Sequence, residues 1–249
     1  MKRIERRRLK QNDLAETVSS LRDLFEARRR QLTIAAFVVV IVAAALLGIV
    51  IIRQQTRQQG DQLLADAMVA LNAPVVPAGE QGAEGIPAAA SLGATGAFGT
   101  EEAKLNAALP KLKAAAEAYP GAPAGITARY HMAGALAALG RYPDAIDAYT
   151  AVVERAGART LYGRMARLGR ADAQARAGQI DAAIAGWKAL AAEDADDLPV
   201  DAILMELARA YVQQGNTEEA RKTLSQIVDQ HPNSSYSAEA RAELANLRS

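Results

Sequence analysis

Residues 173–190, AQARAGQIDAAIAGWKAL, decide the reading of this chain, because residues 136–153 (LAALGRYPDAIDAYTAVV) and 210–227 (AYVQQGNTEEARKTLSQI) superpose on them when the three are set on a shared glycine. Gly140, Gly178 and Gly215 recur at intervals of 38 and 37. Five residues after each comes a small side chain, Ala145, Ala183 or Ala220, and nine after each a bulky one, Tyr149, Trp187 or Leu224. A period of this size marks stacked supersecondary units, and helical periodicity on both sides of each glycine makes the unit a helical hairpin. The glycine suits a helix C-terminus, since it adopts the left-handed cap conformation without cost. The alanine lets the second helix approach its neighbour closely, and the bulky residue one turn later fills the space between hairpins. Trp187 is therefore expected in the core.

This pattern resembles the tetratricopeptide repeat over about residues 101 to 249. The third unit matches best, with Leu204, Leu207, Ala208, Tyr211, Gly215, Ala220, Leu224, Ile227 and Pro232 at signature positions. The first keeps Ala133, Gly140, Tyr142, Ala145, Ile146 and Tyr149, whereas the second carries Arg167, Arg170 and Gln174 where apolar or aromatic residues are usual. Tyr119-Pro120 and His231-Pro232 echo each other at a separation of three repeat lengths. Residues 101 to 119 thus read as the second helix of an incomplete leading unit, with Pro110 expected to kink or start a helix, and residues 234 to 248 as a terminal capping helix. The resemblance implies a concave groove lined by the first helix of each hairpin. Counting back from the glycines places Tyr130, Leu168, Asp172, Arg176, Met205, Arg209 and Gln213 on that side. Apolar patches beside arginines suit an extended peptide or a helix, with guanidinium groups pairing carboxylates.

Upstream, residues 32–52 (LTIAAFVVVIVAAALLGIVII) carry no charged side chain from end to end, directly after Arg28-Arg29-Arg30, and fourteen of them are Leu, Ile, Val or Phe. At 1.5 Å per residue the run spans about 31 Å, the thickness of a hydrocarbon core. It reads as a transmembrane helix and not a cleaved signal, whose apolar region is shorter and ends in small residues, whereas Arg53-Gln54-Gln55 follows here. Ten basic side chains precede the run, against Arg53 and Arg57 just after it. The excess puts the N-terminus in the cytoplasm and the rest of the chain outside. Ala44 and Gly48 form a small-xxx-small pair available to another membrane helix.

The remaining chain divides by composition. Residues 1 to 31 form a basic segment in which Asn12-Asp13-Leu14-Ala15-Glu16 places a capping residue three before a glutamate, at the start of an amphipathic helix carrying Leu14, Val18, Leu21 and Phe25. Residues 53 to 72 are compatible with a juxtamembrane helix weakened by Gly60. Residues 73 to 100, with Pro74, Pro77, Pro87 and six glycines, read as a disordered linker. The repeat region 101–249 carries 17 basic and 19 acidic groups, so nucleic acid is not expected as a partner. Arginine outnumbers lysine 22 to 7 and alanine abounds, as in a GC-rich bacterial chain.

Little in the chain points to catalysis. The absence of cysteine excludes disulfides, thiol nucleophiles and Cys-ligated zinc. His131 and His231 have no carboxylate at metal-ligand spacing, and no GxSxG, SxxK or HExxH occurs. Glu193, Asp194, Asp196, Asp197 and Asp201 lack the glycine and terminal glutamate of a calcium loop, and Asp197 is expected to cap the following helix. Asn233-Ser234-Ser235 reads as a helix-start signal. The expectation is a non-enzymatic protein with no cofactor, metal or small-molecule substrate, all-α in class. Its layout, a basic tail, one spanning helix and a repeat domain, resembles the ancillary SecYEG translocon subunit (YfgM-like) family. That resemblance implies an inner-membrane protein with a periplasmic C-terminal domain, adjacent to SecYEG and to periplasmic folding factors. The alternative is a scaffold for a division, peptidoglycan or polysaccharide assembly.

Overall fold

The computed structural model describes residues 29–76, 96–193 and 198–247, and among them every element is an α-helix. The helices are α1 (Arg29–Leu71), α2 (Glu101–Ala118), α3 (Pro123–Ala138), α4 (Tyr142–Ala156), α5 (Leu161–Arg176), α6 (Ile180–Ala191), α7 (Val200–Gln213), α8 (Thr217–Gln230) and α9 (Ser237–Asn246). The proposed amphipathic segment before Arg29, most of the linker (77–95) and Asp197 lie outside the described residues. The chain divides into two compact units, residues 1–55 and 56–249.

In the first unit, α1 is long and apolar enough to cross a membrane. Its large apolar side chains from Ile34 to Ile52 are exposed, Phe37 to 73 %, with no protein surface over them. A contiguous bare apolar cylinder of this length is stable in hydrocarbon and not in water. Gly48 faces open space.

The second unit is a stack of helical hairpins, α3/α4, α5/α6 and α7/α8, each helix packed on its sequence neighbours. The three hairpin glycines have φ of +73°, +79° and +72° at Gly140, Gly178 and Gly215. In each turn the N–H after the glycine reaches back five residues: Arg141 to the Leu136 carbonyl at 2.9 Å, Gln179 to Gln174 at 2.8 Å, Asn216 to Tyr211 at 2.9 Å. This is the left-handed cap expected from the sequence, built three times. A second repeated device sits at the opposite end of the first helices. Gly125 and Gly163 stand one repeat length apart, each the third residue of its helix. The main chain of the preceding turn passes directly over each. A Cβ would lie 1.9 Å from the Tyr119 carbonyl oxygen at Gly125 and 2.0 Å from the Gly157 oxygen at Gly163.

The core is rich in alanine and runs as successive clusters along the stack. Ala133, Ala145, Tyr149, Val152 and Ala166 join α3, α4 and α5, and Ala183, Trp187, Leu190, Ile203, Leu207 and Tyr211 join α6 and α7. Trp187 is 2 % exposed, as its place in the repeat requires. The arginines of the second unit are accommodated at its margin, where Arg167 pairs with Glu193.

Two features of the leading unit differ from the sequence reading. The helix α2 starts at Glu101, where the Thr100 hydroxyl accepts the Ala103 N–H at 3.1 Å, and continues through Pro110. Its partner is the end of α1: Ala67 and Ala70, with Leu63, Leu64 and Leu71 beside them, pack on Leu105, Ala108 and Leu112. Residues 56–71 thus supply the missing first helix of the leading hairpin, and residues 73–100 interrupt that hairpin. Gly60 serves this contact, since its bare Cα lies against the Tyr119 ring and Ala124, and the Tyr119 hydroxyl donates to Gln59 Oε1 at 2.7 Å. The two ends of the interruption are joined: Val76 N–H donates to the Phe98 carbonyl and Phe98 N–H to that of Pro74, both at 2.9 Å, with Phe98 buried.

At the far end, α9 closes the stack through Ala240, packed on Leu224 and Ile227. The helix α7 begins after Pro199 with no side-chain cap. Asp201, in its first turn, accepts the Ala202 N–H at 2.9 Å and the Ser234 hydroxyl at 2.6 Å.

Candidate partner groove

The first helices α3, α5 and α7 share one side of the stack, and its centre is organised by a buried indole. Trp187 on α6 fills the gap between α5 and α7, and a buried indole N–H needs an acceptor. Asp172 on α5 provides it, at 2.9 Å from Nε1 to Oδ1. Asp172, Ala175 and Arg176 of α5, Trp187, and Glu206 of α7 enclose a cavity of about 210 Å³. Burial raises the Asp172 pKa and Glu206 adds to the rise, while the indole hydrogen bond and Arg176 oppose it. The cavity therefore holds a carboxyl group whose charged form bears a desolvation cost, with Arg176 exposed at its rim.

The groove continues to either side. On α3, Tyr130 makes edge contacts with Tyr149 (centroids 5.9 Å), Tyr162 (5.7 Å) and His131 (5.6 Å). Burial pushes the Tyr149 hydroxyl up to about 12 and also raises Tyr130, while it lowers His131. These are packed aromatic groups, and the two phenols stay neutral at physiological pH. On α7, Arg209 is held between Glu206 and Glu239, each at 2.7 Å. Arg209 thereby ties the groove to the closing helix α9.

The residues expected in the groove thus divide. Asp172 and Arg176 meet at the central cavity. Tyr130 and Arg209 lie in the aromatic cluster and in the carboxylate bracket, and Gln213 is exposed at the end of α7. Leu168 is half-buried against the Trp187 cluster. Met205 needs correction: it is 0 % exposed, among Leu204, Ala208, Leu224 and Ile227, and offers no surface. The reason is that α7 is covered by both α8 and α9, so a face that would be open in a mid-stack helix is closed here. Glu206 and Glu239 were not foreseen. One cue existed in the sequence, since Glu206 stands three residues before Arg209, an ion-pair spacing on a helix. Nothing local marks Glu239, which comes from another helix. Of the acidic cluster, Glu193 and Asp201 are engaged with Arg167 and Ser234.

Stacked hairpins, each helix packed on its sequence neighbours, define a helical-repeat domain. Residues 101–159 and 130–199 match one tetratricopeptide-repeat family model and residues 200–244 match another, so the chain carries tetratricopeptide repeats over residues 101–244. No curated protein matches the sequence significantly. Among solved structures, a tetratricopeptide repeat protein from Parabacteroides merdae is similar at 19 % identity and a TM-score of 0.50, over 59 % of this chain and 55 % of that one. The chain thus spans about half the length of that relative. The putative kinesin light chain of Podosopora anserina, with nearly identical TPR-like repeats, is similar at 22 % identity and a TM-score of 0.51, over 59 % of this chain and 79 % of that one. These similarities establish the fold.

Proposed function

We propose that the protein is a non-enzymatic, single-pass inner-membrane protein whose periplasmic repeat domain binds other proteins, as a translocon-associated adaptor or chaperone-like module beside SecYEG and periplasmic folding factors. The observation that carries the binding role is the cavity at Asp172, Trp187 and Glu206, open between two first helices and flanked by Arg176. Tetratricopeptide-repeat domains generally mediate protein–protein contacts, and this groove offers what such a contact uses: a rigid floor, a desolvated carboxylate and an arginine able to pair with a partner's acid. The bare apolar length of α1 supports membrane anchoring, and the ten basic residues before it support a cytoplasmic N-terminus.

Arg176→Glu combined with Arg209→Glu is expected to reduce recovery of co-purifying proteins from mild detergent at least tenfold. Reversal at Arg176 removes a charge-assisted hydrogen bond of about 1.5–3 kcal/mol to the partner, and reversal at Arg209 breaks the Glu206 and Glu239 pairs that hold α9 at the end of the groove. Unchanged recovery, with helix content intact by circular dichroism, rejects the groove. The translocon assignment has its own test. A photocrosslinker at Val69, 73 % exposed, should give SecY adducts in intact membranes. Adducts confined to division, peptidoglycan or polysaccharide enzymes would replace the adaptor reading with the envelope scaffold. Protease added to spheroplasts should degrade the repeat domain, and its survival there overturns the orientation.

A further inference from the structure

Beside the central cavity the groove has a floor built from the second helix of a hairpin. Tyr149 belongs to α4, yet its ring passes between α3 and α5, where Gly134 and Gly169 leave room for it. Gly134 follows Tyr130 by four residues and Gly169 precedes Asp172 by three, so both bare Cα atoms share the side of their helices that carries those groove residues. A Cβ on Gly169 would lie 2.5 Å from the ring at Cζ and 2.7 Å from Oη, and a Cβ on Gly134 would lie 3.7 Å from Oη. The hydroxyl therefore sits between the two glycines. Tyr149 is 6 % exposed, and its Oη has no hydrogen-bond partner among the described residues, yet the oxygen is not sealed from solvent. A buried phenol with its polar tip unpaired in a trough free of side chains is a place open to a hydrogen bond from outside.

Asp172 is the second group left short of partners. Its Oδ1 accepts the Trp187 indole N–H, while Oδ2 keeps contact with solvent and has no donor among the described residues. Desolvation works against its charge and so does Glu206, whereas Arg176 is the weakest influence on it and forms no ion pair with it. Glu206 is no better supplied. Arg209 divides its guanidinium between Glu206 and Glu239 at 2.7 Å each, so neither carboxylate has a cation to itself. Asp172 also acts through space on the Tyr149 hydroxyl, which makes cavity and hydroxyl neighbours along one groove. A positive charge is what this arrangement lacks. Among the described residues no three metal-ligating side chains meet, so an organic cation suits the two carboxylates better than a metal ion.

We propose that the groove, resting on its reading as a protein-binding surface, takes an extended partner segment anchored by a lysine, with the ammonium in the cavity between Asp172 and Glu206 and a neighbouring peptide group on the Tyr149 hydroxyl. A lysine carries a compact charge with three donors and no acceptor on a slender four-carbon stem. The stem finds Ala175 and Trp187 in the cavity wall, and the charge finds the carboxylates. The hydroxyl serves a peptide group either way round, donating to a carbonyl or accepting from an N–H. Gly134 and Gly169 let a main chain descend to it, because no side chain stands in the way. The hydroxyl thus holds the backbone without reading sequence. The cavity reads the side chain.

The test uses the full-length protein in lipid nanodiscs and the fluorescently labelled, amidated peptide Ala-Ser-Ala-Lys-Ala-Ser-Ala, with norleucine or glutamate in place of lysine for comparison, read by anisotropy. The lysine peptide should bind at least tenfold more tightly than the norleucine peptide, which keeps the stem and lacks the charge, and the glutamate peptide should be weaker still. Asp172→Asn keeps an acceptor for the indole and should abolish the difference between lysine and norleucine. Tyr149→Phe keeps the ring and should weaken both peptides several-fold by the same factor, so that their ratio stays. Equal binding of lysine and norleucine peptides, no binding at millimolar peptide, or a lysine preference that survives Asp172→Asn overturns the assignment. Failure of the groove reads differently. Protein capture lost in Arg176→Glu with Arg209→Glu, beside equal lysine and norleucine binding, keeps the groove and removes the lysine seat, whereas capture unchanged in that pair removes the groove itself.

Discussion

Trp187→Ala should lower the stability of the hairpin stack by about 3–5 kcal/mol, the cost of emptying a buried aromatic site. The loss should be local. In a helical repeat each unit contacts only its neighbours, so amide hydrogen exchange should accelerate most in α5, α6 and α7 and least in α2. Asp172 is the internal control. Asp172→Ala strands the indole N–H in a site 2 % exposed and should cost about 1–3 kcal/mol, whereas Asp172→Asn keeps an acceptor oxygen in place. The asparagine variant should also be more stable than wild type at pH 7. Burial raises the Asp172 pKa in the folded state, so the fold holds the proton more tightly than the unfolded chain does, and stability falls as pH rises from about 4 through that raised value. Asp172→Asn removes this slope. Asp201 works the other way: the Ser234 hydroxyl lowers its pKa, and its contribution is present above the ordinary carboxylate value and lost on acidification. Urea unfolding of both proteins across this pH range separates the two, and a wild-type slope retained in Asp172→Asn would falsify the account of the cavity.

The second large effect is expected at Gly125 and Gly163. A methyl group at either position would sit about 2 Å from a main-chain oxygen, which has no rotamer by which to move aside. The turn before the helix has to open, and with it the packing of the hairpin on its predecessor. Gly163→Ala should cost about 3 kcal/mol or more. Gly178→Ala, at a φ of +79° with open space around the added carbon, should cost only the left-handed penalty of about 1–2 kcal/mol. The ordering is the test: thermal unfolding by circular dichroism should place Gly163→Ala and Gly125→Ala below Gly178→Ala. The reverse order means that the turns yield easily.

Much of this architecture was legible because it rests on local constraints. A left-handed cap demands glycine wherever it recurs, so Gly140, Gly178 and Gly215 display the period directly. Trp187 declares its own burial through its place in that period. What escaped notice depends on neighbours distant in sequence. Residues 56–71 have no capping glycine before α2 and are separated from it by the whole stretch 72–100, so nothing announces that they form half of a hairpin. Met205 has the helical position of a groove residue, and only the arrival of α9 buries it. Gly125 and Gly163 are one repeat apart, but a close approach by main chain leaves no composition signal. In the groove, the Asp172–Trp187 pair spans two helices and reflects the acceptor that a buried indole requires. Glu239, from a third helix, follows from tertiary structure alone.

The joined main chain at Val75 and Phe98 acts as a clasp across the interrupted leading hairpin. Because its ends are held by paired hydrogen bonds and a buried phenyl ring, the length of chain between them is uncoupled from the register of the helices it joins. Closing a loop twice as long costs only about 0.6 kcal/mol more. The register of the leading hairpin is therefore carried by residues 74–76 and 98 themselves, and not by the number of residues that separate them.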